Sequence, residues 1–269
     1  MGKIKKLFTV VGLILKQPSL LNKILDDENV NKKIVAEKLN LPQGHPSVDI
    51  AELVPDFDEI VEPFAFLEGG SMPIEIALLK ALAKRFEKCN YLEIGTWRGE
   101  SVANLASVAE HCVTINLTDD DMRRIGMTEK YIGLHRFFSK ELKNVEHISC
   151  NSKTFDFSSL NKKFDLVYID GDHHYDSVLN DTKNAFKLLR DENSIIVWHD
   201  YGDAIDNIRW DIVRGIAEGT PSEKRKNIYR ISNTRSAIYT TQKVKTALVE
   251  YPQTPNKHFK VRITGVNSQ

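Results

Sequence analysis

The sequence predicts an α/β fold: a seven-stranded, mostly parallel sheet with helices on both faces and an antiparallel hairpin at its C-terminal edge. Three observations predict it. From residue 74 to residue 200, short apolar runs alternate with stretches of helical spacing. The runs are mainly apolar, the pattern of strands covered on both faces. After Trp198 the alternation gives way to two strand-like segments joined by a short polar turn.

The strand-like runs are 91–94, 113–117, 145–150, 164–169 and 195–198, with the hairpin strands at 227–231 and 237–240. Ile76, Leu79, Leu82, Ala83 and Phe86 recur at helical spacing, so a helix over 74–86 leads into the first strand. Ser71 offers it an N-cap and Pro73 fits its first turn. Further helices are expected at 101–110, 175–189 and 204–218, the last ended by Gly219 and Pro221, with a broken one over 120–143.

The 269 residues, 41% hydrophobic and 28% charged, suffice for one large domain with an appendage. The expected division is a helical appendage over 1–70, serving as a lid or an oligomer surface, a main domain over 71–245 and a tail over 246–269. Residues 30–39 have helical spacing, while 41–57 carry Pro42, Gly44, Pro46 and Pro55, a loop composition. Lys plus Arg equals Asp plus Glu at 37 each, which argues against a nucleic-acid partner held by a basic field. Cys89, Cys112 and Cys150 are odd in number and far apart, as expected of reduced thiols in a cytoplasmic protein.

At the N-terminus Lys3, Lys5 and Lys6 precede an apolar run over 7–15. No small-residue cleavage site follows, and the run is too short to span a bilayer. Two readings of residues 1–25 stay open: peripheral contact with a membrane surface, or packing on the protein itself or on a second copy in a homo-oligomer.

Two segments carry the chemistry. In the first, Tyr91-Leu92-Glu93-Ile94-Gly95-Thr96-Trp97-Arg98-Gly99-Glu100-Ser101, a strand ends in an acid, turns over two glycines and enters a helix. Glycines let a ligand approach the main chain, and the helix start presents unpaired N–H groups. Trp97 would crowd a pyrophosphate, so this is not the dinucleotide fingerprint. In the second, one strand ends in Asp170-Gly171-Asp172-His173-His174-Tyr175 and the next in Trp198-His199-Asp200-Tyr201. Adjacent strands would bring Asp170, His199 and Asp200 to the rim that holds the glycine loop. Ionisable groups gathered there are expensive unless they bind something. Two carboxylates and an imidazole can hold Mg²⁺ or another divalent cation, which would orient and acidify a substrate hydroxyl.

The form E-x-G-T-x-x-G-x-S resembles motif I of the class I S-adenosylmethionine (SAM)-dependent methyltransferases, whose Rossmann-like fold matches the predicted one. The resemblance implies cofactor contacts from Glu93, Gly95, Thr96, Trp97, Gly99 and Ser101. Asn116, with Leu117 beside it, aligns with the acid that takes the cofactor's ribose in that family. Asn151 and Ser152 align with the residues that read its adenine, and Asp170 closes the set. The Asp-Gly-Asp segment is similar to that of metal-dependent sugar O-methyltransferases, which implies Asp170, His199 and Asp200 as metal ligands and Asp172 as general base. His199 departs from that family, which carries an acid there. The DGDHxY form, with WHDY downstream, resembles a broad group of small bacterial methyltransferases. Asp172, His173 and His174 all stay open as the base.

The activity implied is methyl transfer from SAM to a small-molecule acceptor, on a hydroxyl of a sugar or glycan precursor. N-methylation, and a non-catalytic SAM-binding or protein-interaction module, are the alternatives. The basic stretch 223–226 reads as a solvated surface, and Trp210 as core of its helix.

Overall fold

The structure is a computed structural model that describes residues 2–21, 28–204, 207–248 and 254–266. In chain order its elements begin with α1 (Lys3–Lys16), α2 (Glu28–Lys38), β1 (Ser47–Val48), α3 (Ile50–Leu53) and α4 (Pro73–Ala83). The doubly wound part follows: β2 (Asn90–Ile94), α5 (Glu100–Ala106), β3 (His111–Asn116), α6 (Asp119–Arg124), α7 (Glu129–Gly133), β4 (Val145–Ser149), β5 (Leu166–Ile169), α8 (Tyr175–Leu188) and β6 (Ile195–Trp198). The chain ends with β7 (Gly202–Ala204), β8 (Asn207–Ile208), α9 (Trp210–Gly219), β9 (Ile228–Ile231), β10 (Ala237–Tyr239) and β11 (Thr246–Ala247).

The sheet runs β11-β1-β9-β10-β6-β5-β2-β3-β4. Strands β4, β3, β2, β5 and β6 are parallel neighbours, and β10 joins β6 antiparallel. The seven expected strands are all present, and the sheet grows to nine because β1 pairs parallel with β9 and β11 pairs antiparallel with β1. Segment 41–57, whose composition suggests a loop, therefore delivers a strand and a helical turn, and Val48, Ile50 and Leu53 are buried. Three apolar residues among prolines show no period, so only tertiary pairing reveals them.

Alternate residues of each central strand feed two cores. Leu92, Ile94, Val113, Val167 and Trp198 face a layer holding Val178 and Ala185 of α8 and Ile212 and Ile216 of α9. Tyr91, Cys112, Leu166, Tyr168 and Val197 face Leu78, Leu79 and Leu82 of α4 and Val102 and Leu105 of α5. Burial on both faces is why these strands read as mainly apolar runs, with the buried Glu93 and Thr114 inside them. Trp210 is buried, and the three cysteines are free thiols, two of them buried. Among the described residues no helix is long and apolar enough to cross a membrane.

Two expectations are corrected. The residue that caps α4 is Met72, not Ser71: Glu75 in the first turn reaches back to accept the Met72 N–H at 2.8 Å, which frees the Ser71 hydroxyl for other partners. The helix expected over 204–218 begins at Trp210, because the small β7–β8 hairpin occupies the segment before it. A bond from Arg209 N to Tyr201 O closes the hairpin and one from Tyr201 N to Arg235 O ties it to the β9–β10 turn; residues 205 and 206 lie outside the described residues. The break expected within 120–143 falls between α6 and α7, where Gly126 adopts φ 87°.

Candidate active site

The site is built at the C-terminal rim of the parallel strands, where open α/β sheets place their ligands. β2 ends at Ile94 and turns over Gly95, whose φ is 93°. A Cβ at Gly95 would lie 2.0 Å from the Asp170 carbonyl oxygen, so only glycine lets the two strand ends meet. Gly99, at φ 80°, starts α5, and a Cβ there would lie 2.3 Å from Ser139 Oγ. Between them Trp97 holds a positive φ of 44° and stacks on Tyr131 at 3.9 Å, with His135 edge-on at 5.0 Å.

Several polar atoms around this loop are buried without a hydrogen-bond partner: Glu93 Oε1, Thr96 Oγ1, Trp97 Nε1 and His135 Nε2. Such groups cost free energy unless a ligand satisfies them. Glu93 is fully buried; its Oε2 accepts from the Tyr91 hydroxyl at 2.6 Å. Burial pushes its carboxyl up to about 8, partly offset by hydrogen bonds from Tyr91 and Ser101. Ser101, also buried, thus joins Glu93 beneath the loop.

At the end of β3, Asn116 offers its amide to His135 Nδ1 at 2.9 Å, and its carbonyl lies 3.5 Å from the Thr96 N–H. A small cavity opens beside it, lined by Asn116, Leu117, Asp119, His135 and Ser149. After β4, Asn151 caps its own turn by accepting the Lys153 N–H, and the Ser152 carbonyl accepts from Asn180. The buried Asp181 bonds the Ser152 hydroxyl, and burial raises its pKa to about 6.

Beside the loop lies the acidic cluster. Asp170, His173 and Asp200 bring one ligand atom each to within 4.8 Å of one another. His173 Nδ1 is 2.9 Å from Asp200 Oδ2. Burial opposes a charge on His173, but the bond to Asp200, with help from Asp170, wins and raises its pKa. Asp200 holds an unusual φ of 55°, and its carboxylate meets both His173 and His199. Burial would raise its pKa, yet His173 and His199 hold it well below the usual carboxylate range.

His199 lies behind this cluster. It is 8% exposed, and its Nε2 meets Glu75 Oε2 at 3.1 Å. Its Nδ1 lies 2.9 Å from Asp170 Oδ1 and 3.3 Å from Asp200 Oδ1. The angles at Nδ1 do not make a hydrogen bond, so the attraction there is between charges. Burial alone would lower its pKa; Asp170, Asp200 and Glu75 hold it well above the ordinary value. The imidazole expected as a metal ligand thus has both nitrogens facing carboxylates, and His173 faces the same Asp170 and Asp200.

The three candidate bases separate into two groups. His173 joins the cluster. Asp172 and His174 instead pair with each other, and Asp172 also accepts from Ser177 Oγ at 2.5 Å and lies 3.6 Å from Lys153 Nζ. These partners overcome burial and lower the Asp172 pKa. Asp172 and His174 are the more exposed pair, with side-chain exposures of 50% and 66%.

Sequence reasoning missed three contributors. Glu75 also accepts from Arg235 N at 2.7 Å and Ser236 Oγ at 3.0 Å, tying α4 to the β9–β10 turn behind His199. Ser71 bonds the buried Tyr168 hydroxyl at 2.8 Å and donates to Asp170 Oδ2 at 3.2 Å. Arg209 donates to the His173 carbonyl at 2.7 Å and approaches Asp200 to 4.0 Å. An acid in the first turn of an amphipathic helix signals only a cap, so nothing local marked Glu75 as a partner of residue 199.

Residues 92–201 match the model of a family described as a methyltransferase domain. The match begins inside β2 and ends one residue past Asp200, so it contains both the glycine loop and the acidic cluster. The strand order and antiparallel C-terminal part are those of the Rossmann-like methyltransferase fold. Over 142 residues the chain is 31% identical to an uncharacterized protein of Acanthamoeba polyphaga mimivirus; the match covers 50% of this chain and 62% of that protein. The chain thus spans less than two thirds of that relative's length. Among solved structures it is similar to a Podospora anserina methyltransferase bound to S-adenosylhomocysteine (SAH), at TM-score 0.48 and 14% identity over 65% of this chain and 80% of that one. It is also similar to an O-methyltransferase from Bacillus cereus in complex with SAH, at TM-score 0.43 and 17% identity over 64% and 82% of the two chains.

Proposed function

We propose that the chain is a SAM-dependent methyltransferase acting on a hydroxyl of a small molecule, a sugar or glycan precursor in the first instance. The observation that carries the reading is the juxtaposition of two half-sites. One is a glycine loop ringed by unsatisfied buried polar atoms. The other, one strand away, is a cluster of carboxylates and imidazoles. The first suits a polar cofactor and the second suits a hydroxyl that must lose a proton.

In this reading Gly95, Thr96, Trp97 and Gly99 cradle the methionine end of SAM. Glu93 and Ser101 support the loop from below. The Asn116–Leu117 and Asn151–Ser152 strand ends hold the nucleoside, and Asp170 stands between cofactor and acceptor. The orphaned Glu93 Oε1, Thr96 Oγ1 and Trp97 Nε1 fit such a ligand because each gains a partner when it binds. Attack on the sulfonium methyl then needs mainly alignment of the acceptor oxygen.

His173 is the favoured base. Asp200 accepts its Nδ1–H, which leaves Nε2 to take the hydroxyl proton. The more exposed Asp172–His174 pair lies outside the cluster. The donor set of Asp170, His173 and Asp200 also fits a divalent cation, being rich in carboxylate oxygen with one imidazole. Such an ion would orient the acceptor hydroxyl and lower its pKa. As ligand, His173 could not also serve as base, so the two readings part experimentally.

Calorimetry with SAH tests cofactor binding, and a methyl-transfer screen over sugar and glycan-precursor hydroxyls tests the reaction. Turnover that survives EDTA leaves His173 free to serve as base; turnover lost to EDTA and restored by Mg²⁺ favours its role as ligand. A folded protein that does not bind SAH overturns the proposal, and binding without turnover on any acceptor favours a non-catalytic SAM-binding module.

A further inference from the structure

The N-terminal helix α1 is unlike every other long helix of the fold. It has 14 residues and none is buried. Ile4, Leu7, Phe8, Val11 and Leu15 recur at the three- and four-residue spacing of one helix face. All five are exposed: Ile4 73%, Leu7 62%, Phe8 73%, Val11 46% and Leu15 78%. Lys5, Lys6, Thr9 and Lys16 take the opposite side, which also carries the exposed Leu13, with Val10 at its border and Lys3 at the start of the helix; the helix holds no acid. The chain as a whole is charge-balanced, so this concentration of cations is local.

We propose that α1 is an interfacial helix that lays the protein on an anionic lipid bilayer. A wide apolar stripe with lysines along the other side is the composition of helices that lie in the plane of the headgroups. The lysines would sit at the level of the lipid phosphates while the stripe enters the acyl boundary. The helix is too short to do more: at ~1.5 Å per residue its length falls well below the ~30 Å hydrocarbon core. A second copy of α1 is a poorer occupant of the stripe. A face ~21 Å by ~10 Å, doubled, falls short of the ~1,200 Å² at the lower end of stable protein interfaces. The four lysines on each copy would also repel.

The test is flotation of the full chain with vesicles of phosphatidylcholine mixed with phosphatidylglycerol, against vesicles of phosphatidylcholine alone. The expected result is binding to the mixed vesicles, weak binding to the neutral ones, and release as salt rises. Lys5→Glu combined with Lys6→Glu should weaken binding by about 25-fold or more, given the worth of each basic residue near such a surface. Leu7→Glu combined with Phe8→Glu should abolish it. Because α1 buries nothing, both variants should keep the wild-type circular dichroism and SAH affinity, which separates this proposal from the one about the cofactor. A wild-type protein that stays with the soluble fraction in the mixed vesicles overturns it. So does a light-scattering mass of a dimer that Leu7→Glu with Phe8→Glu turns into a monomer, since the stripe would then cover a second copy.

Discussion

Replacing Glu93 by Gln should make the protein more stable, and by an amount that depends on pH. Glu93 is fully buried, and its carboxyl is pushed from 4.5 up to about 8. The folded chain therefore holds a proton that the unfolded chain releases. Between these two values folding takes up a proton, so stability falls as pH rises. Each pKa unit is worth about 1.4 kcal/mol, which gives a cost of about 3 kcal/mol at pH 7 and about 5 kcal/mol once pH passes the folded value. Gln at position 93 can still accept from the Tyr91 hydroxyl, and its new N–H₂, if left unpaired, returns about 1 kcal/mol of that gain. The net expectation is about 2 kcal/mol of added stability at pH 7, growing toward pH 9 and vanishing near pH 5. Urea unfolding of wild type and variant at these three pH values measures it, and every other titrating group cancels in the difference. A constant offset across the range, or a variant that loses stability at pH 9, would refute the claim that Glu93 is buried as a neutral acid. On the proposed function the same variant should bind SAH more weakly, so the stability gained comes from a group retained for the cofactor.

Three further outcomes are expected. Gly95→Ala drives a methyl group into the Asp170 carbonyl at a positive φ, and should cost at least about 2 kcal/mol in thermal unfolding together with SAH binding. Glu75→Gln leaves the buried His199 cation short of one carboxylate and loosens the Arg235 and Ser236 bonds; a loss of about 3 kcal/mol should appear in chemical denaturation, and an unchanged midpoint would count against the ion pair. His173→Ala should remove turnover by a factor of about 100 or more while SAH affinity holds, whereas His174→Ala should change kcat less than tenfold; the reverse order would move the base to the Asp172–His174 pair.

The sequence alone determined the layered fold and the rim at which chemistry gathers. Largely apolar runs at 91–94, 113–117, 164–169 and 195–198 report burial on two faces, a property written locally in each strand, while 145–150 forms the half-exposed edge strand β4. Gly95 and Gly99 between a strand and a helix, and the polar ends of β5 and β6, report the rim for the same local reason. What it left open depends on neighbours far apart in the chain. Ser47–Val48 becomes a strand only because β9 lies beside it. Ser71 is released from capping only because Glu75 takes that task, and Glu75 in turn reaches residue 199 across the sheet. Asp172, His173 and His174 look equivalent in sequence, yet Asp200 pairs with His173 and leaves the other two to each other. Period and composition encode which face a residue is on; which side chain meets which is a matter of distances of 3 Å or so between elements, and these exist only once the sheet has closed.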